Sequence, residues 1–249
     1  MPQYFGDSTV TNAPEKRFRP RRWLARSLLF ALLAWLGLSI IPVLLLRWLP
    51  PPTTAFMLQY AATDALAARP YRYHWTDWQH IAPAISLAVV AAEDQKFPAH
   101  QGFDFASIEN AIRDYLHSGE LRGASTISQQ VAKNLFLWPG RNLGRKALEA
   151  WFTLLIELAW PKQRILEVYL NIAEFGPGIY GVEAASRTFF GKSATLLEPG
   201  EAALLATVLP NPRTYDAANP SAYMRQRQRW IQQQMRQLGG PAYVNQMPQ

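Results

Sequence analysis

The sequence predicts a mostly α-helical protein with one membrane-spanning helix near its N-terminus, and three observations lead there. Residues 27–46, SLLFALLAWLGLSIIPVLLL, carry no charge and lie between Arg26 and Arg47. Downstream, apolar residues recur at three- and four-residue spacing, while the period-two alternation of half-buried strands is scarce. Pro70, Pro161, Gly176, Gly178 and Gly191 fall between the periodic segments, where chain breakers belong. At 249 residues and 49% hydrophobic content the chain can build a sizeable core. It has no cysteine, so no disulfide framework, which is compatible with an exported domain.

Residues 1–26 form a polar, basic tail predicted to be unstructured in the cytoplasm. Lys16, Arg17, Arg19, Arg21, Arg22 and Arg26 stand against Asp7 and Glu15, so the tail carries +4 of the net +7. The positive-inside rule then keeps the N-terminus in the cytoplasm and puts everything after Arg47 on the outer face. Only +3 remains for the rest of the chain, which gives no reason to expect a nucleic-acid partner. Residues 27–47 are the transmembrane anchor. A run of 20 residues matches the ~20 that a helix needs to cross hydrocarbon about 30 Å thick. The run exceeds the roughly 7–15 residues of a signal-peptide core and is followed by Arg47, Trp48 and three prolines, with no small-x-small cleavage site. Pro42 is tolerable inside a membrane helix.

Residues 48–70 read as a membrane-proximal linker and helix: LPPPT ends the anchor, and 53–69 has helical spacing up to Pro70. A single domain is expected over 71–220. Pro83 suits the first turn of a helix that runs into Glu93, and helical segments follow at about 104–117, 126–137, 142–160, 161–173, 178–189 and 198–208. The segment 221–249 contains YMRQRQRWIQQQMRQLGG and is expected to be a basic terminal helix and tail, solvated or touching anionic lipid.

Three stretches hold candidate chemistry. In AVVAAEDQKFPAHQGFD, an apolar helix from Ile85 ends in the adjacent carboxylates Glu93 and Asp94. Desolvation and the negative end of the helix dipole both disfavour a charged Glu93, and a raised pKa suits a general base or acid near neutral pH. An ordinary solvated Glu–Asp pair is the structural alternative. In RGASTISQQVAKNLFL, Thr126 and Gln129 have the form of a capping box, and a helix start attracts anions. Gln130, Lys133 and Asn134 share a face there and could hold a phosphate or diphosphate; taken alone, the stretch reads first as an ordinary cap with an exposed polar face. In PGRNLGRKALEAW, Arg141, Arg145 and Glu149 recur every four residues, either as a phosphate-binding stripe with a second carboxylate or as a surface ion pair worth ~0.3–0.5 kcal/mol. Beyond them, Ile165, Leu166, Tyr169, Leu170, Val182, Phe189 and Phe190 read as core, with Glu167, Asn171 and Glu183 as a structural network.

Taken in order, EDQKFPAHQGFD, GASTISQQVAKN, RKALE, KQRILEVYLN and GVEAASRTFFGK resemble the five motifs of the family 51 glycosyltransferases, the peptidoglycan-polymerising transglycosylases. The resemblance spans roughly residues 70–220, and LLATVLPNPRTYDAANPS is similar to the monofunctional members. No S-x-x-K or K-T-G of a transpeptidase occurs in the chain. The resemblance implies a lysozyme-like helical glycosyltransferase domain at the cytoplasmic (inner) membrane. It also implies polymerisation of lipid II, with the lipid-linked glycan strand as donor and release of undecaprenyl diphosphate. Glu93 is then the base that takes the acceptor hydroxyl proton, and the anomeric carbon inverts. Asp94 and His100 are implied at the acceptor pocket. Thr126, Gln130, Lys133, Arg141 and Arg145 are implied around the donor diphosphate, with Phe97, Ser125 and Asn134 counted among the substrate-binding residues. Glu149 is implied as the second catalytic carboxylate, holding a divalent cation (Mg2+ or Mn2+) or helping the diphosphate leave. Membrane lipids and cell-wall synthesis proteins are the implied partners. Two rival readings stay open at this level: a lytic transglycosylase or lysozyme-like hydrolase with Glu93 as acid, and a non-catalytic membrane scaffold for cell-wall assembly.

Overall fold

The structure is a computed structural model that describes residues 20–64, 70–118, 125–140, 142–245 and 247. It divides into two compact units, residues 1–40 and 41–249. Helix α1 (Pro20–Leu46) begins in the first unit. Its stretch Trp23–Leu46 has 24 residues and a mean hydropathy of 2.6, long and apolar enough to cross a membrane. Leu28, Phe30 and Leu38 are exposed on it, a display suited to lipid rather than water.

The second unit is built around helix α3 (Pro83–Glu93), whose residues Ile85 to Ala91 are all buried. A helix that is apolar all round has to be enclosed. Helix α9 (Pro199–Val208), helix α10 (Ala222–Gln237) and the short α11 (Ala242–Asn245) pack against it. Helix α5 (Ile127–Phe136) packs on α6 (Leu143–Ala159) and α7 (Lys162–Ile172), with α2 (Ala55–Asp64) also against α5. Helix α4 (Phe105–Ser118) starts just after the Glu93 loop, and α8 (Val182–Phe190) follows a short sheet. Apart from the segment expected at 178–189, the helical expectations hold along the described chain, while residues 65–69 of the expected helix 53–69 lie outside it.

Two features differ from the sequence reading. The expected helix at 178–189 begins only at Val182, because Ile179 and Tyr180 form the middle strand of a three-stranded sheet. There β3 (Ile179–Tyr180) pairs in parallel with β1 (Arg72–Tyr73) and antiparallel with β2 (Glu174–Gly176). Gly181 sets the boundary: its φ is +86°, and a Cβ there would lie 2.5 Å from the Asn171 carbonyl oxygen. Secondly, α10 is solvated on one face only, since Met224, Ile231 and Met235 are buried.

The last turn of α1 belongs to the second unit and is tied into it by side chains. Trp160 Nε1 donates to the Val43 carbonyl at 2.7 Å, and Arg164 donates to the carbonyls of Leu46 (2.9 Å) and Leu49 (2.7 Å). These bonds satisfy acceptors that a helix end leaves without intrahelical partners. Asn171, fully buried, holds both the N–H and the carbonyl of Thr76, and Glu167 accepts from the Trp78 N–H and pairs with Arg164. The polar residues of this region are therefore a structural network, as the sequence suggests.

Candidate active site

The site forms where the C-terminal end of α3 meets the N-terminal end of α5. The Asp94 carboxylate makes the joint. It accepts the Ile127 backbone N–H at 3.0 Å and faces His100 Nε2 at 3.0 Å. Gly102 N–H donates to His100 Nδ1 at 3.1 Å, so the ring proton sits on Nε2 and points at Asp94. Thr126 Oγ1 in turn donates to the Gly102 carbonyl at 2.6 Å. At the start of α5 the N–H groups of Thr126, Ile127 and Gln129 already have partners, in the complete Thr126–Gln129 capping box and in Asp94.

Glu93 is left facing a cavity of about 310 Å3 lined also by Asp94, Asp104, Ser125, Thr126 and Trp230. Gln130 Nε2 donates to its carboxylate at 2.9 Å, and Tyr169 Oη donates to Gln130 Oε1 at 3.1 Å. Burial raises the Glu93 pKa above the ordinary carboxylate value, and Asp94 adds to the rise; the Gln130 bond, Arg227 and Lys133 oppose it. The result is a carboxyl group with increased proton affinity, oriented from below and open to a cavity. That is the description of a general base or acid.

Lys133 and Asn134 line a second cavity, of about 290 Å3, with Gln130, Tyr180, Asn211 and Arg213. Gln130 is thus next to both Glu93 and the cationic cavity. Burial lowers the Lys133 pKa, Glu149 and Glu93 raise it, and Arg145 and Lys146 lower it further. One electrostatic cluster therefore links Glu93, Lys133, Arg145, Lys146 and Glu149. Glu149 is 3% exposed; Arg145 Nη1 bonds one of its oxygens at 2.8 Å and Lys146 Nζ the other. Arg145 keeps one buried donor, Nε, without a partner.

This donor set does not fit a protein-held divalent cation. Both oxygens of Glu149 are occupied by cationic side chains, and no group of three or more potential metal ligands occurs among the described residues. Arg141 lies outside the described residues. Phe97 is placed differently from the substrate-binding expectation. It is fully buried, with Lys162 Nζ 4.6 Å from its ring centre and the His100 ring edge-on at 6.1 Å, so it supports the loop from the core side. Lys162 is held by Glu157, which also accepts from Ser128. Ser125 is exposed at the first cavity's rim.

Sequence reasoning missed three residues around Glu93. Tyr169 reads as core, and nothing in its spacing shows that its hydroxyl reaches Gln130. Arg227 and Trp230 fall in the basic terminal helix. A signal for Arg227 was available: it sits three residues after Met224 and four before Ile231, a charge on that helix's apolar stripe.

A buried helix that ends in a glutamate of raised proton affinity, facing one cavity and next to a second lined by Lys133, is the arrangement of a candidate enzyme site. Comparison places it further: the transglycosylase family model matches residues 62–236, and the chain belongs to that family. The chain is 54% identical over 243 residues to the biosynthetic peptidoglycan transglycosylase of Xanthomonas campestris pv. campestris (strain B100), covering 96% of each chain. It is 54% identical over 229 residues to the protein of that name from Ectopseudomonas mendocina, covering 91% of this chain and 94% of the other. The corresponding Xylella fastidiosa protein is 50% identical over 229 residues, covering 90% and 94%.

Proposed function

We infer that this protein is a peptidoglycan glycosyltransferase that polymerises lipid II into β-1,4-linked glycan strands at the outer face of the cytoplasmic membrane. The observation that carries the reading is Glu93: a carboxyl group of raised proton affinity, facing a cavity and held by Gln130 beside a cluster of Lys133, Arg145 and Lys146. The acceptor hydroxyl oxygen attacks the anomeric carbon of the lipid-linked strand, and its proton passes to Glu93. The bond from that carbon to the diphosphate oxygen breaks, the electron pair leaves with undecaprenyl diphosphate, and the carbon inverts.

The leaving group's charge calls for cations rather than another base. Lys133, Arg145 and Lys146 supply them, and the unpartnered Nε of Arg145 leaves a donor for a phosphate oxygen. Glu149 acts as counter-ion that holds Arg145 and Lys146 in place, and no step is assigned to Mg2+ or Mn2+. The apolar α1 fits a substrate that is itself a polyprenyl lipid, and the basic N-terminal tail gives the orientation, with the catalytic unit outside. A finished glycan strand offers the cationic cluster no diphosphate, which disfavours the hydrolase reading.

The test is the product. Purified lipid II and the detergent-solubilised full chain are expected to give long strands that a muramidase digests, while preformed strands keep their length. Shortening of preformed strands without polymer formation would replace this reading with the hydrolase.

A further inference from the structure

Helix α3 ends without a cation of its own at a place where negative charge gathers. Its last turn contains no basic residue, although the end of a helix concentrates negative partial charge and this one also bears Glu93. The missing cation comes from 134 residues further along the chain. Arg227 on α10 donates from Nη2 to the Ala92 carbonyl at 3.4 Å, one residue before Glu93. Its guanidinium lies 4.0 Å from the ring centre of Trp230, and Trp230 lines the cavity that Glu93 faces. The aromatic face limits the orientations open to the arginine, and an arginine stacked on a ring keeps its edge donors free. Two neighbouring bonds fix the same loop to the C-terminal helices: Gln95 Nε2 to Gln234 Oε1 at 3.1 Å, and Tyr243 Oη to the Gln95 carbonyl at 2.7 Å.

We propose that Arg227, oriented by Trp230, is a positioning residue for Glu93: it braces the end of α3 and supplies the positive charge which that helix end lacks. The inference rests on the reading of Glu93 as the base. Arg227 does not reach the reacting atoms; it acts through the carboxylate. Glu93 also has Asp94 beside it, Lys133 from α5, Tyr169 from α7, and Lys96 and Asp104 across the cavity, with Tyr243 of α11 behind the loop. Both Lys133 and Arg227 oppose the rise in the Glu93 pKa, and of the two Arg227 is the one bonded to the backbone of the α3 end. Removing Arg227 therefore favours the protonated, inactive carboxyl and costs most activity on the acid side.

The experiment compares full-length wild type, Arg227→Gln, Arg227→Lys and Trp230→Ala in detergent, each verified by circular dichroism. Two quantities are read: lipid II polymerisation as a function of pH, and titration of the Glu93 carboxyl by 13C NMR, its signal assigned by difference from Glu93→Gln. Arg227→Gln is expected to move both the acid limb of kcat/KM and the Glu93 titration to higher pH. Trp230→Ala is expected to do so more weakly, and Arg227→Lys to restore part of the shift. A loss of rate equal at all pH values, with the Glu93 titration unmoved, would make Arg227 a packing residue and overturn the proposal; so would wild-type behaviour of Arg227→Gln in both readouts. The titration does not depend on catalysis. If Glu93→Gln keeps its activity, the base assignment falls, and the NMR comparison still decides whether Arg227 governs Glu93.

Discussion

At the residue scale, Glu93 and Asp94 are adjacent carboxylates with opposite duties. Asp94 is 8% exposed and spends its oxygens on Ile127 N–H and His100, so it holds α3 to α5. Asp94→Ala leaves those donors unpaired at a cost of about 1–3 kcal/mol for each buried group, and thermal unfolding is expected to show the loss together with lost polymerisation. Glu93 costs stability instead. Its pKa is raised in the folded state, so the folded protein binds its proton more tightly than the unfolded chain does. Its contribution is thus least unfavourable below the ordinary carboxylate pKa and becomes destabilising as pH rises through the raised value. Glu93→Gln is expected to raise Tm at pH 7, with the gain shrinking as the buffer is made acidic. A Tm unchanged at pH 7 and at acid pH alike would contradict the burial of an ionised Glu93. The pair was legible in the sequence because an apolar helix ended in it. The division of labour was not, since it depends on which carboxylate meets the start of a helix 33 residues away.

At the element scale, the start of α5 illustrates what local pattern can and cannot say. Thr126 and Gln129 spell a capping box, and the box is there. Thr126 and Gln129 satisfy each other's N–H groups locally, whereas the acceptor for the Ile127 N–H is Asp94, a tertiary contact that no local pattern shows. Helices α3, α5, α6, α7 and α9 were legible for the same local reasons. The two- and three-residue strands were not, because each is too short to show a period. The turn at Gly102 carries a prediction of its own. Its φ is +85°, and a Cβ there would lie 2.8 Å from Thr153 Cγ2 and 2.9 Å from Glu157 Cγ on α6. Gly102→Ala is expected to destabilise the protein by about 1–3 kcal/mol and to weaken the Thr126 and His100 bonds that meet there, read as a lower denaturant midpoint. On α6, Glu149→Gln leaves the buried Arg145 without its counter-ion, a loss of about 3 kcal/mol, measurable by the same titration.

At the scale of the whole molecule, α10 belongs to the core that its sequence hides. Four arginines and a run of glutamines make it look solvated, yet Met224, Ile231 and Met235 close over α3 and α9. Burying three such side chains is worth roughly 1.5–3 kcal/mol each, comparable to the 5–15 kcal/mol that holds a typical domain folded. A chain stopped at Pro220 is therefore expected to lose cooperative unfolding and to aggregate; a sharp melt at the wild-type temperature would contradict the packing. The same packing brings Arg227 to the active site, so the C-terminal helix joins stability to chemistry. The most direct measurement of the central claim is lipid II consumption at neutral pH by the solubilised full chain, wild type beside Glu93→Gln, with both shown to be folded. Glycan strands from wild type and none from Glu93→Gln are the predicted result. Strand formation by Glu93→Gln at the wild-type rate would contradict the account, because the proton would then be leaving by a route that does not involve this carboxylate.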